Sequence, residues 1–290
     1  INPTREMVVF GRTMSVWGLG WGVPGAALGT ALATAISGVL TLAILLLRDG
    51  PLCIRKPGSW HITKACLQNL WKVGAPLAAE RAVLSSAQVL LIRIVSGLGT
   101  TAIAANSLGV SAESLCYMAG YGIQDASLAL VGQAVGAKRY QEAKRYAKNF
   151  IFLIMGAHFL ICFPMLVFLP HIIGFYHVSE QTAELARIIC TLHGLCCVLI
   201  WAPSFALPNA LRAADDVKFA MCITIASMFL CRIAMSFVLG RYLGMGLIGV
   251  WIAMVLDWAV RAVVYAARVA SGGWLKHHKV LAARQEAEKT

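Results

Sequence analysis

Four polar side chains recur on one face of a long apolar stretch that begins near Asn106: Asn106, Glu113, Tyr117 and Gln124. Steps of three and four residues join them through Val110 and Gly120 and on to Ser127, which is the spacing of a single helical face. A carboxylate so placed can hold a cation or a proton, with amide and phenol groups to orient it. Counted from Thr101, Glu113 lies about 18 Å along a helix, near the middle of a ~30 Å hydrocarbon core. A structural carboxylate paired with an Arg of a neighbouring helix has the same sequence signature, and both readings stay open.

A charge at mid-bilayer is costly, so each one requires a water-filled cavity or a partner. Glu80 sits roughly 13 Å along a helix counted from Trp71. Arg81 follows it directly but points about 100° away, so the two require different partners. Glu80 and Arg81 read either as part of an ion- or proton-coupling site or as a static charge network holding two helices in register. Arg232 and Asp257 fall at nearly the same depth on consecutive antiparallel helices and read as a structural ion pair. Arg261, one turn from Asp257, offers a second partner. Asp125 lies near a helix end and reads as solvated or as part of a gate.

The elements that carry these residues are membrane helices. The chain has 290 residues, of which 59% are hydrophobic and 13% charged, and its mean hydropathy is +0.73. Soluble domains are about 45–50% apolar and 25% charged. Apolar segments of spanning length fall at 22–47, 71–97, 101–136, 150–170, 183–210, 219–240 and 246–270. The expected fold is therefore all-α and polytopic, with about seven transmembrane helices, six of them after a polar connector.

Lys and Arg collect in alternate loops: Arg48 to Lys72, Lys138 to Lys148, Arg212 with Lys218, and Arg268 with Lys276 and Lys279. The other loops hold His171, His177 and Arg241. By the positive-inside rule the first set is cytoplasmic and the C-terminus lies inside. The net charge of +12 is thus spread over loops rather than gathered on one soluble face, which argues against a nucleic-acid partner.

No nucleotide-binding loop, no nucleophile with a paired base and no metal-ligand spacing is visible, so neither an enzyme nor a cofactor is expected. The nine Cys have no framework spacing and read as small core residues. His158 and His193 are lone His in apolar helices. Trp201, Trp251 and Trp258 read as packing or interface residues. Pro203 and Pro208 predict a distortion in their helix.

Residues 1–12 read as the tail of a helix that starts outside the sequence, and the N-terminus has no signal-peptide pattern. Phe10-Gly11-Arg12 followed by Gly22-Val23-Pro24-Gly25 is similar to Leu239-Gly240-Arg241 followed by Gly246-Leu247-Ile248-Gly249. A repeat of that kind makes the first span the last helix of an earlier six-helix copy, a parallel-repeat transporter plan with its site between the lobes.

Leu130-Val131-Gly132-Gln133-Ala134-Val135-Gly136-Ala137, followed by a basic stretch, resembles the Leu-Val-Gly-Gln-x-x-Gly-Ala motif of the multidrug and toxin extrusion family. Gly74-Ala75-Pro76, Gly97-Leu98-Gly99-Thr100 and Ala210-Leu211-Arg212-Ala213-Ala214-Asp215 match it in order. Glu80-Arg81, Ala112-Glu113-Ser114-Leu115 and Trp251-Ile252-Ala253-Met254 are similar to its bacterial branch. The resemblance spans about residues 11–274, with Gly132, Gln133 and Gly136 as its motif positions. It implies twelve helices in two six-helix lobes: residues 1–48 end the N-terminal lobe, 49–70 form a cytoplasmic linker, 71–272 form the C-terminal six-helix lobe, and 273–290 form a cytoplasmic tail.

The implied activity is export of small organic cations or drugs in exchange for sodium ions or protons, by alternating access, in the bacterial plasma membrane. The implied partners are the lipid bilayer and the N-terminal lobe absent from this chain. A lipid-linked precursor or polysaccharide flippase of the same two-lobe plan, and a fragment inactive without its partner lobe, are the alternatives. Several relatives carry the carboxylate of the Glu80 helix about one turn later, where this chain has Leu84, so their ion site does not transfer directly.

Overall fold

The computed structural model describes residues 3–9, 12–19, 21–47 and 63–275. Among them, seven long helices follow one another: α1 (Gly22–Leu47), α2 (Lys64–Ser96), α3 (Thr100–Gly136), α4 (Tyr140–Phe175), α5 (Glu180–Ala213), α6 (Val217–Tyr242) and α7 (Gly246–Ala270). The chain divides into two units, Ile1–Gln68 and Asn69–Thr290.

The first unit departs from expectation at its start. In place of a helix tail, β1 (Pro3–Val9) pairs antiparallel with β2 (Arg12–Leu19), in a register that sets Glu6 opposite Ser15 and Val8 opposite Thr13. The segment is rich in strand-forming residues, Val8, Val9, Thr13, Val16 and Trp17, which outweigh a helical continuation. Arg12 therefore opens a strand, whereas Arg241 ends a helix, and the apparent sequence repeat does not extend to secondary structure there. Gly22 and Gly246 do open helices of 26 and 25 residues. The side chains of α1 are largely exposed, including Leu32, Ile36, Val39 and Leu40, as suits a helix bathed in lipid. Residues 48–62, with most of the expected linker, lie outside the described residues, as does the expected tail from 276 onward.

Helix α2 begins at Lys64 rather than near Trp71, so residues 64–70 of the expected linker are helical. Thr63 explains the start: its Oγ1 accepts the Cys66 backbone N–H at 3.2 Å, an N-cap satisfying a donor that the helix leaves free. Ser179 does the same for α5, accepting the Thr182 N–H at 3.4 Å, with Glu180 favourably placed in the first turn.

From α3 onward short turns make successive helices antiparallel neighbours, and α3 packs against both α4 and α5. One large apolar core runs through α3, α4, α5 and α7, around Cys116, Ile154, Ile189, Trp201 and Trp258. A second core closes one end of the bundle around Val131, Leu211, Tyr265 and Trp274. Outward, α4 presents Phe152, Phe159, Phe163 and Val167 as an exposed apolar stripe, the face expected of a helix against lipid chains.

Among the described residues, five helices are long and apolar enough to cross a membrane: residues 27–47 of α1, and α4, α5, α6 and α7. Helices α2 and α3, of 33 and 37 residues, have the length but carry the polar residues of the candidate site. The same side chains that make them interesting lower their hydropathy.

Two of the described helices are locally underwound into π-turns. In α5 the π-turn Cys197–Trp201 ends two residues before Pro203. Proline has no N–H to give the preceding turn, and wider winding is one way to absorb that loss. In α6 the π-turns are Met228–Ala234 and Val238–Tyr242.

Candidate transport site

Glu113 opens into a cleft of about 470 Å³ bounded by α2, α3, α6 and α7. Leu91, Val95, Val110 and Met254 supply its apolar wall, and Gln88, Asn106 and Ser107 add polar groups. Glu113 and Arg232 are the charged residues among its described lining. The volume lies within the range of small-molecule sites, and an apolar wall with a few convergent polar groups is their usual composition.

The helical stripe of α3 is therefore divided between two surroundings. Asn106, Val110 and Glu113 face the cleft. Asn106 Oδ1 accepts the indole N–H of Trp251 at 3.1 Å, which holds that ring on the cleft wall. Gly109 makes room for it, since a Cβ there would stand 2.6 Å from the Trp251 ring. One turn beyond Glu113, Tyr117 turns inward, donating its hydroxyl to Glu113 Oε1. His193 Nε2 lies 3.0 Å from the same hydroxyl oxygen. In the Nε2–H tautomer His193 donates to Tyr117 and Tyr117 donates to Glu113, a continuous chain from the cleft into the bundle.

Aromatic rings enclose that chain. Tyr117 stacks on Trp201 with centroids 5.4 Å apart and meets His193 and Trp258 edge-on. Trp201 in turn stacks on Phe205 at 4.8 Å and takes His158 edge-on at 4.7 Å. Gly120 completes the fit, because a Cβ there would lie 2.5 Å from His158 Nε2. The three Trp are thus packing residues that also fix the site, and the two His, isolated in sequence, meet the stripe of α3 from α4 and α5.

The remaining expected site residues lie elsewhere. Glu80 is 3% exposed and bound to Arg212 of α5 at 2.6 Å, while Arg212 also donates to Asn209 Oδ1 at 2.9 Å. Arg81, on the next face of α2, is exposed. Gln124, two turns past Tyr117, is half-buried, and its Oε1 has no hydrogen-bond partner among the described residues. Glu80, Arg81 and Gln124 therefore do not line the cleft that holds Glu113 and Asn106.

The expected pairing of Arg232 with Asp257 is replaced by another. Asp257 is fully buried and is held by Arg261, which bonds both carboxylate oxygens, one of them at 2.9 Å from Nε. The i,i+4 geometry on α7 favours this contact over one between helices. Arg261 also lies over the Phe205 ring at 5.5 Å. Arg232 instead lines the Glu113 cleft and acts electrostatically on that carboxylate.

The glycine-glutamine motif builds a helix end. Lys138 adopts φ of +59° beyond the end of α3, with Lys138 N–H bonded to Val135 O at 2.9 Å and Arg139 N–H to Ala134 O at 2.8 Å. These two bonds close a Schellman turn. Asp215, with φ of +57°, closes the equivalent turn after α5, where Asp216 N–H reaches Leu211 O at 2.9 Å. Gly132 lies close to Ala213 of α5, while Gln133 and Gly136 are exposed.

Sequence reasoning did not assign His193 to the site or Arg232 to the cleft. The only signal for either was a polar residue in an apolar helix, and helical periodicity does not say which way one helix is turned toward another.

A family model described as MatE matches residues 76–238. The chain is 28% identical over 83% of its length to the probable multidrug resistance protein NorM of Thermotoga maritima, covering 51% of that protein. It is 24% identical, again over 83%, to the uncharacterized transporter YisQ of Bacillus subtilis, covering 53% of it. The chain thus spans about half the length of the curated relatives it matches. Among solved structures, a MATE in complex with MaL6 superposes with a TM-score of 0.74 at 17% identity, over 87% of this chain and 58% of that one. An outward-facing multidrug resistance MATE family transporter of the MOP superfamily gives 0.74 at 16% identity, over 87% and 57%.

Proposed function

The chain belongs to the MatE family, and on that premise we propose that it forms part of a secondary antiporter exporting small organic cations in exchange for sodium ions or protons. The observation that carries this reading is Glu113, a carboxylate opening into an apolar cleft of about 470 Å³. An organic cation gains there from apolar and aromatic contact, with Trp251 on the wall, and from the negative charge. A coupling ion competes for the same carboxylate, and competition supplies the difference in affinity that exchange requires.

In this reading the chain works with an N-terminal lobe that rocks against it across a central cavity. Its Lys- and Arg-rich loops, together with the C-terminus, face the cytoplasm of a bacterium, by the positive-inside rule. Gly132, Gln133 and Gly136 shape a cytoplasmic turn, and Glu80 with Arg212 braces α2 against α5 in the cytoplasmic half. A flippase for lipid-linked phosphates would favour several guanidinium groups in the cleft, where Arg232 stands opposite a carboxylate. Organic-cation export therefore fits the cleft better.

The test is efflux of a fluorescent organic cation from proteoliposomes holding the natural gene product, under imposed sodium or proton gradients. Wild type moves the cation under one of them, and Glu113→Gln abolishes transport without loss of folded protein. Wild type that moves no cation under either gradient would overturn the reading.

A further inference from the structure

Arg232 is left over by every structural contact around it. The carboxylate nearest in depth, Asp257, is taken on both oxygens by Arg261. The Arg232 side chain makes no hydrogen bond or ion pair among the described residues, yet it lines the cleft with Glu113 and its charge acts on that carboxylate. An unpaired guanidinium within a membrane bundle is costly unless it faces water or serves a function. The carboxylate it faces is tied on its other side to Tyr117 and, through it, to His193.

The backbone beneath Arg232 is also unusual. The residue lies inside the π-turn Met228–Ala234 of α6. A π-turn holds one residue more than an α-turn, so moving it by one position rotates the enclosed side chains by roughly 100°. Such a shift would re-aim the Arg232 guanidinium without unfolding α6.

From this arrangement, and resting on the export reading above, we propose that Arg232 is a tethered counter-cation that competes with the transported cation for Glu113. When the substrate occupies the carboxylate, Arg232 stays back on the cleft wall. When the arginine closes on Glu113, it neutralises the site and expels the substrate. Lining the cleft with a permanent like charge is a repulsive element against the very ligand the site accepts, and it sets affinity low enough for release.

The test is equilibrium binding of tetraphenylphosphonium to the natural gene product in nanodiscs, comparing wild type, Arg232→Gln, Arg232→Lys, Glu113→Gln and the Glu113→Gln/Arg232→Gln double variant. Arg232→Gln should bind about tenfold or more tightly than wild type and transport more slowly, because release is lost. Arg232→Lys keeps the charge and should stay within about threefold of wild type. The tightening should vanish in the Glu113→Gln background. Unchanged or weaker binding by Arg232→Gln, with wild type binding normally, would overturn the tether and leave the export reading standing. Tightening that persists without Glu113 would also overturn it, as a diffuse field effect. Absence of binding by wild type and all variants would overturn both.

Discussion

Glu80 and Glu113 are both glutamates set several turns into long helices, but their surroundings differ in kind. Glu80 is closed off: Arg212 binds it at 2.6 Å, and Asn209 braces the guanidinium. Glu113 is open, touching a phenol on one side and a cleft on the other, with its guanidinium standing apart. Asp257 with Arg261, and Asp216 with Arg268 at 2.9 Å, side with Glu80. Removing water from a charge is repaid only where a partner sits in contact. Closed pairs are therefore structural, joining separate segments in Glu80–Arg212 and Asp216–Arg268 and bracing α7 itself in Asp257–Arg261, and an open carboxylate is a place for something to bind.

Truncation separates the two kinds of site. The largest effect should come from Asp257→Ala, which strands the buried Arg261 guanidinium and should cost about 3–5 kcal/mol. A thermal melt in detergent reads this loss, and a melt like wild type would remove Asp257 from the closed class. Next is Glu80→Gln, which keeps the shape but loses a charge-assisted bond, for about 1.5–3 kcal/mol. Its transport, normalised to folded protein, should match wild type. Selective loss of turnover at normal stability would move Glu80 to the coupling site.

Glu113→Gln should shift stability by less than about 1 kcal/mol, since an amide still accepts from Tyr117, while transport disappears. A large drop in melting temperature with residual transport would erase the contrast. The smallest effect belongs to Arg187→Ala. Its partner Glu180 lies 4.0 Å away, and both side chains are about half exposed or more, so at most ~0.5 kcal/mol is at stake. A bigger change in the melt would mean that exposed pairs also brace this bundle.

Much of this was legible before folding. The helices follow from apolar length. The α3 stripe follows from steps of three and four, which place Asn106, Glu113 and Tyr117 on one face whatever their neighbours. The α7 pair was visible as an i,i+4 spacing, although depth alone suggested Arg232 for Asp257. The first strands were missed because two runs of seven and eight residues are too short to fix a period, although Val8, Val9, Thr13 and Val16 favour strand, and cross-strand pairing decides the outcome.

What the sequence by itself determined is therefore the set of helices, the membrane setting, and the shared face of the polar residues, because each depends on distances along one chain. Tertiary structure alone decided that Glu80 meets Arg212, that His193 backs Tyr117, and that Arg232 shares a cleft with Glu113. Those contacts depend on how each helix is rotated about its axis, where about 100° separates one residue from the next. The packing of rings such as Trp201 and Trp251 into gaps left by Gly120 and Gly109 sets that rotation, and no periodicity within a single helix encodes it.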